Sequence, residues 1–330
     1  MIEEEIRPKR LFEKYLELTK SDISKYFLNS QSRNLVSCVA CGHDKSNHEF
    51  YKDGFEYQSC GVCSTLYLNP RPSLSIFEKF YKYSASSEYW AKVFFPSVAE
   101  VRREKIFKGR VENLNKWLQK LGIKVDQLVD VGAGYGIFLE EWLKKSPNTN
   151  TLAIEPSSDL ADYCRAKNIP VIEDMLENID IEPIADLATC FEVLEHVYDP
   201  LSFIKKMATL VKPGGYVFIS SLSIDGFDLQ VLWDKSKQIS PPHHINFMSM
   251  KGFEMLFRSA GLQNIQLITP GKLDVDIVRN AMTAHNSELK LDRFLNSYMK
   301  SEETMKALQD FIVLTKKSSH VWITGQKPQR

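Results

Sequence analysis

Between residues 126 and 143, DQLVDVGAGYGIFLEEWL, a short apolar run gives way to an amphipathic pattern. Leu128, Val129 and Val131 have the look of a buried parallel strand, while Ile137, Phe138 and Trp142 recur at helical spacing. The join predicts a strand, a tight turn through Gly132, Gly134 and Gly136, and a helix N-terminus. Glycines there let the backbone take positive φ and let a ligand approach the main chain without meeting a Cβ atom. The turn is expected to bind something.

From 121 onward strands and helices alternate. TLAIE (151–155) predicts a second strand, SSDLADYCRAKN a helix capped by Ser157 or Ser158, and IPVIED a third strand. ADLATCFEVLEHVYDP (185–200) supplies a fourth strand and its exit loop, PLSFIKKMATLVKPGG a helix, YVFISS a fifth strand and NIQLITP a sixth. Residues 271–318 are helical and charged, and HVWITGQK (320–327) alternates as a seventh strand. Upstream, Leu11, Phe12, Tyr15 and Leu16 predict an amphipathic helix that packs on something later. The stretch 73–120 predicts aromatic-rich helices, in which Tyr81, Tyr83, Tyr89 and Trp90 are either interdomain core or a cover for a bound cofactor. The expected organisation is a helical arm (1–36), a cysteine ribbon (37–72), a helical linker or lid (73–120) and an α/β domain (121–330) with a helical insertion at 271–318.

Charge narrows the partners. Lys+Arg and Asp+Glu both number 42, so no global field draws nucleic acid or an anionic membrane. The N-terminus is charged from its third residue, and no apolar run approaches the roughly 18 residues of a membrane span. A cytoplasmic setting is expected.

Of six cysteines, four are paired as Cys38-x2-Cys41 and Cys60-x2-Cys63, 18 residues apart, with a glycine after the second cysteine of one pair (Gly42) and the first of the other (Gly61). With Phe50, Tyr51, Phe55 and Tyr57 alternating between them, the pairs predict a zinc ribbon: four thiolates and no open coordination position, a site that builds structure and does not catalyse. Disulfides are the alternative, disfavoured in a reducing compartment. His43 and His48 are taken as surface residues, and Cys164 and Cys190 as buried small hydrophobes.

The glycine turn is G-x-G-x-G with Asp130 just before it, whereas a dinucleotide fingerprint wants G-x-G-x-x-G; a carboxylate there suits a cationic ligand better than a phosphate. Glu155 ends the next strand, where an α/β nucleotide site holds ribose hydroxyls. Together with EVLEHVYDP and LVKPGGYVFIS, these stretches resemble motifs of class I S-adenosylmethionine-dependent methyltransferases over about 125–270. The resemblance implies a Rossmann-like seven-stranded, mostly parallel sheet with its last strand antiparallel between the fifth and sixth. It implies that Asp130, Gly132, Gly134 and Gly136 face the methionine moiety of S-adenosyl-L-methionine and that Glu155 takes the ribose diol. Asp174, after the third strand, either meets the adenine amino group or caps the following turn. Glu192, counted with the cofactor residues, leaves the fourth strand with Glu195 and His196 at the chemical end of the fold.

Methyl transfer needs an acceptor held in line and relieved of a proton, and histidine is the commonest base for a hydroxyl. Of seven histidines, His196, His243 and His244 fall on expected active-end loops. His244-Ile-Asn-Phe247-Met-Ser249 resembles the catalytic histidine segment of sugar C-methyltransferases that also carry a four-cysteine module. Their acid before the histidine is His243 here and their extra C-terminal domain is missing, which favours hydroxyl over carbon methylation. Glu192, Glu195, His196 and His244 also resemble, in type and order, the divalent-ion ligands of metal-assisted O-methyltransferases, although E-x-x-E-H equally serves to orient a loop. The leading expectation is O-methylation of a small polar acceptor, a sugar or sugar nucleotide of surface-polysaccharide pathways. A sugar C-methyltransferase, an RNA methyltransferase gripping RNA through the ribbon, and a non-enzymatic interaction module are the alternatives; residues 36–70, not rich in Lys or Arg, argue against RNA.

Overall fold

The computed structural model describes residues 2–28, 32–284 and 293–329. The chain divides into two compact units, Met1–Ser84 with Ser221–Phe253 and Leu267–Trp322, and Ala85–Ser220 with Glu254–Gln266 and Ile323–Arg330.

The first unit begins with the helix Lys9–Tyr26, which buries Tyr15 and Ile23. Phe27, just beyond it, meets Phe55, Phe77 and Phe80 edge-on at 5.4, 5.4 and 5.3 Å. The arm does pack on later parts of the chain. Five short strands follow: β1 (Arg33–Asn34), β2 (Ser46–Lys52), β3 (Phe55–Cys60), β4 (Leu66–Leu68) and β5 (Arg71–Pro72). β1 pairs with β5, and β2, β3 and β4 form an antiparallel meander. Asp53 and Gly54, both at positive φ, make the two-residue turn that the right-handed twist of a hairpin favours.

In the second unit the linker is helical, Ala85–Tyr89, Phe95–Arg102 and Lys108–Lys120 being joined by π-helical turns at Trp90–Phe94 and Arg103–Phe107. β6 (Gln127–Val131), β7 (Asn150–Ile154), β8 (Val171–Ile172), β9 (Ala185–Phe191) and β10 (Val211–Leu222) then pair in parallel in the order β10-β9-β6-β7-β8. The intervening helices Ile137–Lys145, Ser158–Ala166 and Pro200–Leu210 bury Phe138 and Trp142, Ala161 and Cys164, and Phe203, Ile204 and Met207. Cys164 and Cys190 are fully buried, as small hydrophobes would be.

β11 (Asn246–Phe247) departs from the expected organisation. It adds antiparallel to β4, so the ribbon sheet reads β11-β4-β3-β2 and the segment with His243 and His244 joins the ribbon's unit, whereas the sequence suggested an α/β domain running unbroken from 121. Backbone pairing over a sequence separation near 180 residues leaves no local mark.

β12 (Gln263–Ile268) and β13 (His320–Gln326) complete the seven-stranded sheet, order β12-β13-β10-β9-β6-β7-β8. At one end of the β13–β10 ladder Gly214 N donates to Lys327 O at 3.0 Å and Lys327 N to Gly215 O at 2.9 Å; at the other, Ser223 N donates to Ser319 O at 2.7 Å. β13 is therefore antiparallel, between the fifth and sixth strands, as expected. The expected insertion contains the helices Asp274–Ala284, Arg293–Tyr298 and Glu302–Leu314; residues 285–292 of that stretch lie outside the described residues. Among the described residues no helix is long and apolar enough to cross a membrane.

Candidate active site

In the second unit, β6 hands over to the turn through Gly132 N and Ala133 N, which both donate to Ile154 O of β7, at 2.8 and 3.3 Å. Gly132, Gly134 and Gly136 have φ of 70°, 54° and 67°. Their needs differ. A Cβ on Gly132 would lie 2.6 Å from Val193 Cγ2, one on Gly136 3.0 Å from Cys164 Sγ, and one on Gly134 would meet nothing within 4 Å. The outer glycines allow close packing, and the middle one borders open space. Buried Glu155 closes the turn, accepting from Gly134 N at 2.8 Å with Oε2 and from Ser157 N at 3.0 Å with Oε1. Each oxygen keeps a second lone pair, enough for two ligand hydroxyls. Burial raises the Glu155 carboxyl above the ordinary glutamate value, while the Ser157 and Gly134 amides oppose the rise.

Behind the turn, Asp130 is buried and accepts from Thr189 Oγ1 at 2.6 Å. Burial pushes its carboxyl up to about 7, against the pull of Thr189 and of the Arg110 guanidinium. Arg110 comes from the helix Lys108–Lys120 and carries no sequence mark of function. Its guanidinium lies over the rings of Phe107 and Phe191 at 5.3 and 4.9 Å, and Nη2 reaches Glu192 Oε1 at 3.3 Å. Its Nε is buried without a hydrogen-bond partner, and burial lowers its pKa against the Glu192, Asp130 and Glu195 carboxylates. Glu192 itself sits at φ 57°, a left-handed conformation that costs about 1–3 kcal/mol in a non-glycine residue. It is held there by its own N–H on Ser220 O at 3.0 Å and by Ser220 Oγ on Oε1 at 2.5 Å. Glu195, buried, and His196 follow in the 3-10 turn Leu194–His196. Asp174 is exposed, and its Oδ1 accepts from Met175 N at 2.7 Å and Asn178 Nδ2 at 2.8 Å, the contacts of a turn cap.

The ring stacked on the turn is that of Phe95, which is not one of the four aromatics singled out upstream. Tyr135, inside the turn, lies on Phe95 with centroids 4.3 Å apart and planes at 4°, and its hydroxyl donates to Ala91 O. Trp90 stacks on Phe94 at 4.3 Å, and Tyr81 and Tyr83 belong to the first unit.

In the first unit, His243 is buried against Phe80, Tyr15 and Tyr81, centroids 4.9, 5.4 and 6.1 Å away, the surroundings of a core residue. His244 is held differently. Its Nδ1 is 2.6 Å from Gln238 O, and since a carbonyl only accepts, Nδ1 carries the proton and the lone pair of the neutral ring sits on Nε2. Phe247 meets the ring edge-on at 6.0 Å. Gln238 is anchored in turn, its amide donating to Asp228, whose carboxyl is pushed up to about 8 by burial and then by the Asp274 carboxylate.

The same unit gathers the four cysteines. Cys38, Cys41, Cys60 and Cys63 offer Sγ atoms all within 4.8 Å of one another, and each is free of disulfides. Cys38–Cys63 and Cys41–Cys60 are each 3.5 Å apart, far beyond a disulfide and close to the roughly 3.8 Å edge of a tetrahedron of thiolates on one ion. His48 is exposed and pairs with Glu56 at 2.9 Å, outside the cluster.

The profile of a family described as "Methyltransferase domain" matches residues 99–267, just over half of the chain. The chain belongs to this methyltransferase family. That span contains the glycine turn, Glu155, Glu192, His196 and His244, while the cysteine ribbon lies outside it. The ubiquinone biosynthesis O-methyltransferase of Vibrio parahaemolyticus is 38% identical over 117 residues, covering 33% of this chain and 50% of that protein. Its namesake from Albidiferax ferrireducens is 31% identical over 116 residues, covering 33% and 46%. The chain thus spans about half the length of the curated relatives it matches. Among solved structures, the plantazolicin methyltransferase BamL, in complex with a triazolic desmethylPZN analog and SAH, superposes with a TM-score of 0.51 at 11% identity, covering 77% of this chain and 94% of that one. At that identity the likeness is one of fold.

Proposed function

We propose that this family member is an S-adenosylmethionine-dependent methyltransferase that methylates a hydroxyl oxygen of a small polar acceptor, a sugar or sugar nucleotide. The observation that carries the reading is Glu155, buried, tied to Gly134 N and Ser157 N at 2.8 and 3.0 Å, with one lone pair left on each oxygen. That is a receptor for a vicinal diol beside a turn whose middle glycine borders open space. S-adenosylmethionine supplies the methyl group: a carbon–oxygen bond forms to the acceptor, the carbon–sulfur bond breaks, and sulfur keeps the electron pair. Asp130 and Glu192 supply negative charge suited to the cationic methionine end, and Arg110 keeps that charge in balance. His244, with Nδ1–H fixed on Gln238 O, takes the acceptor's proton on Nε2. Asp174 remains a candidate for the adenine amino group through its second oxygen.

Oxygen as the methylated atom is supported by relatives named O-methyltransferases; the sugar class rests on the His244-Ile-Asn-Phe247 segment accompanied by a four-cysteine ribbon. The four cysteines suit a structural zinc ion, which supplies a closed tetrahedral link between the two knuckles. The test is incubation of the purified protein with methyl-labelled S-adenosylmethionine and a panel of sugar nucleotides, read by mass spectrometry. A one-methyl increment on a sugar nucleotide is expected. Methylation confined to quinone-pathway phenols would replace the acceptor class, and calorimetry showing no cofactor binding would overturn the whole reading.

A further inference from the structure

A closed four-thiolate site cannot activate a substrate, so the ribbon must contribute through what it holds in place. Within the first unit, what it holds is the segment that carries His244. β11 pairs with β4, Asn246 opposite Tyr67 and Phe247 opposite Leu66, and Leu68 N donates to Ile245 O at 3.0 Å. β4 begins three residues after Cys63, and the contacts continue back to that ligand. Ser249 Oγ donates to the Cys63 carbonyl, and Lys251 Nζ donates to Val62 O at 2.8 Å. Thr65 Oγ1 lies 3.2 Å from Cys63 Sγ and accepts from Ser249 N at 3.4 Å. A Cβ on Gly252 would fall 2.2 Å from Thr65 Oγ1 and 3.2 Å from Ala40 Cβ, so this glycine packs against both cysteine knuckles. The histidine's own carbonyl accepts from Tyr57 of β3 at 2.6 Å.

We infer that the metal on the four cysteines positions His244: the ion fixes the two knuckles, the knuckles fix residues 245–252, and the imidazole takes its single orientation on Gln238 from that frame. For its effect on turnover the inference rests on the assignment of His244 as the base. The ribbon is a small meander whose order depends on its metal, because a site of this kind supplies folding free energy directly. Loss of the ion is therefore felt at 244–252, which owe their backbone and side-chain partners to the ribbon. The cofactor turn, made by contacts of β6 and β7 within the other unit, has no such dependence.

The experiment uses the full chain with 15N-labelled histidine, the His244 ring signals being identified by loss in His244→Gln. With one zinc per chain, His244 is expected as a single tautomer protonated at Nδ1. Chelation of zinc should convert it to an average of tautomers and zinc(II) added back should restore it, while S-adenosylhomocysteine affinity stays within about twofold. Ser249→Ala keeps all four ligands and tests the link without removing metal. Zinc stoichiometry should remain one, the tautomer should average, and kcat should fall about tenfold or more with little change in KM for the cofactor. An unchanged His244 ring signal after chelation overturns the inference, as does an unchanged signal in Ser249→Ala should chelation unfold the whole chain. A His244→Ala enzyme of normal turnover would instead overturn the base assignment and leave the coupling of zinc to tautomer to stand on the ring signals.

Discussion

The glycine turn and the His244 segment are both short loops at strand ends, yet they are built in opposite ways. The turn is made by neighbours: Gly132 N, Ala133 N and Gly134 N all find partners within 23 residues, on Ile154 and Glu155. The histidine segment takes its partners from far upstream, Tyr57 lying 187 residues from His244 and Cys63 lying 186 from Ser249. A contact made locally is re-formed whenever the local sequence is kept. One made across the chain depends on every element that brings its ends together. The comparison predicts that cofactor binding and proton removal fail independently.

The largest effect should come from His244→Ala, which is expected to lower turnover by about 10² to 10⁴ while cofactor affinity stays put. Steady-state kinetics beside calorimetry check it. A larger loss in His196→Ala, with turnover dependent on added Mg²⁺, would place the chemistry with the E-x-x-E-H segment. Next, Glu155→Ala should cost about 1.5 to 3 kcal/mol of cofactor affinity, the scale of a hydrogen bond to a charged group, without altering the His244 ring signals. Unaltered affinity would remove the diol assignment.

The glycines sharpen the comparison further. Alanine at Gly132 or Gly134 should cost about 1–2 kcal/mol for the left-handed backbone. Both should lower the melting temperature accordingly; Gly132→Ala adds a clash with Val193 and should lower it further, whereas Gly134→Ala points its methyl into open space and should add a loss of cofactor affinity. Equal melting losses with equal affinities would show that the middle glycine faces no ligand. The smallest effect is on pH. Asp130, with its carboxyl raised to about 7, is part protonated at neutral pH and must be charged to favour a cation. Cofactor affinity should therefore rise a fewfold as pH increases through about 7, with proton release on binding, and Asp130→Asn should flatten the rise. In the folded chain the sign is the reverse: the protonated carboxyl's contribution to stability is complete below the ordinary aspartate value and is lost as pH climbs toward 7.

What the sequence disclosed follows the same division. The glycine turn, the acid ending the next strand and the cysteine spacing depend on residue types that only certain backbones or ligands accept, whereas the place of the last strand followed from the family resemblance alone. Arg110 was hidden because a basic residue in a charged helix looks solvated; only the rings of Phe107 and Phe191 and the Glu192 carboxylate make it an inside residue. Gln238 was hidden because the group that orients His244 is a backbone carbonyl, which every residue has. Tyr135 carries a signal in its position inside the turn, whereas aromatic density alone points to the cluster upstream. The alliance of β11 with the ribbon left no trace, since two residues of strand are too few to show a period.

The excursion between β12 and β13 leaves and returns through one point. A Cβ on Gly271 would lie 1.8 Å from Ser318 Oγ, and Asp274 accepts from Ser318 Oγ and Ser319 N, each at 2.7 Å. A segment clasped at its base is, to the sheet, a closed circuit of arbitrary circumference. Residues can be added to or taken from its far side without shifting the register of β13, so lineages could vary the length of this segment, or an engineer could splice in a foreign domain, while the closing strand stays where it is.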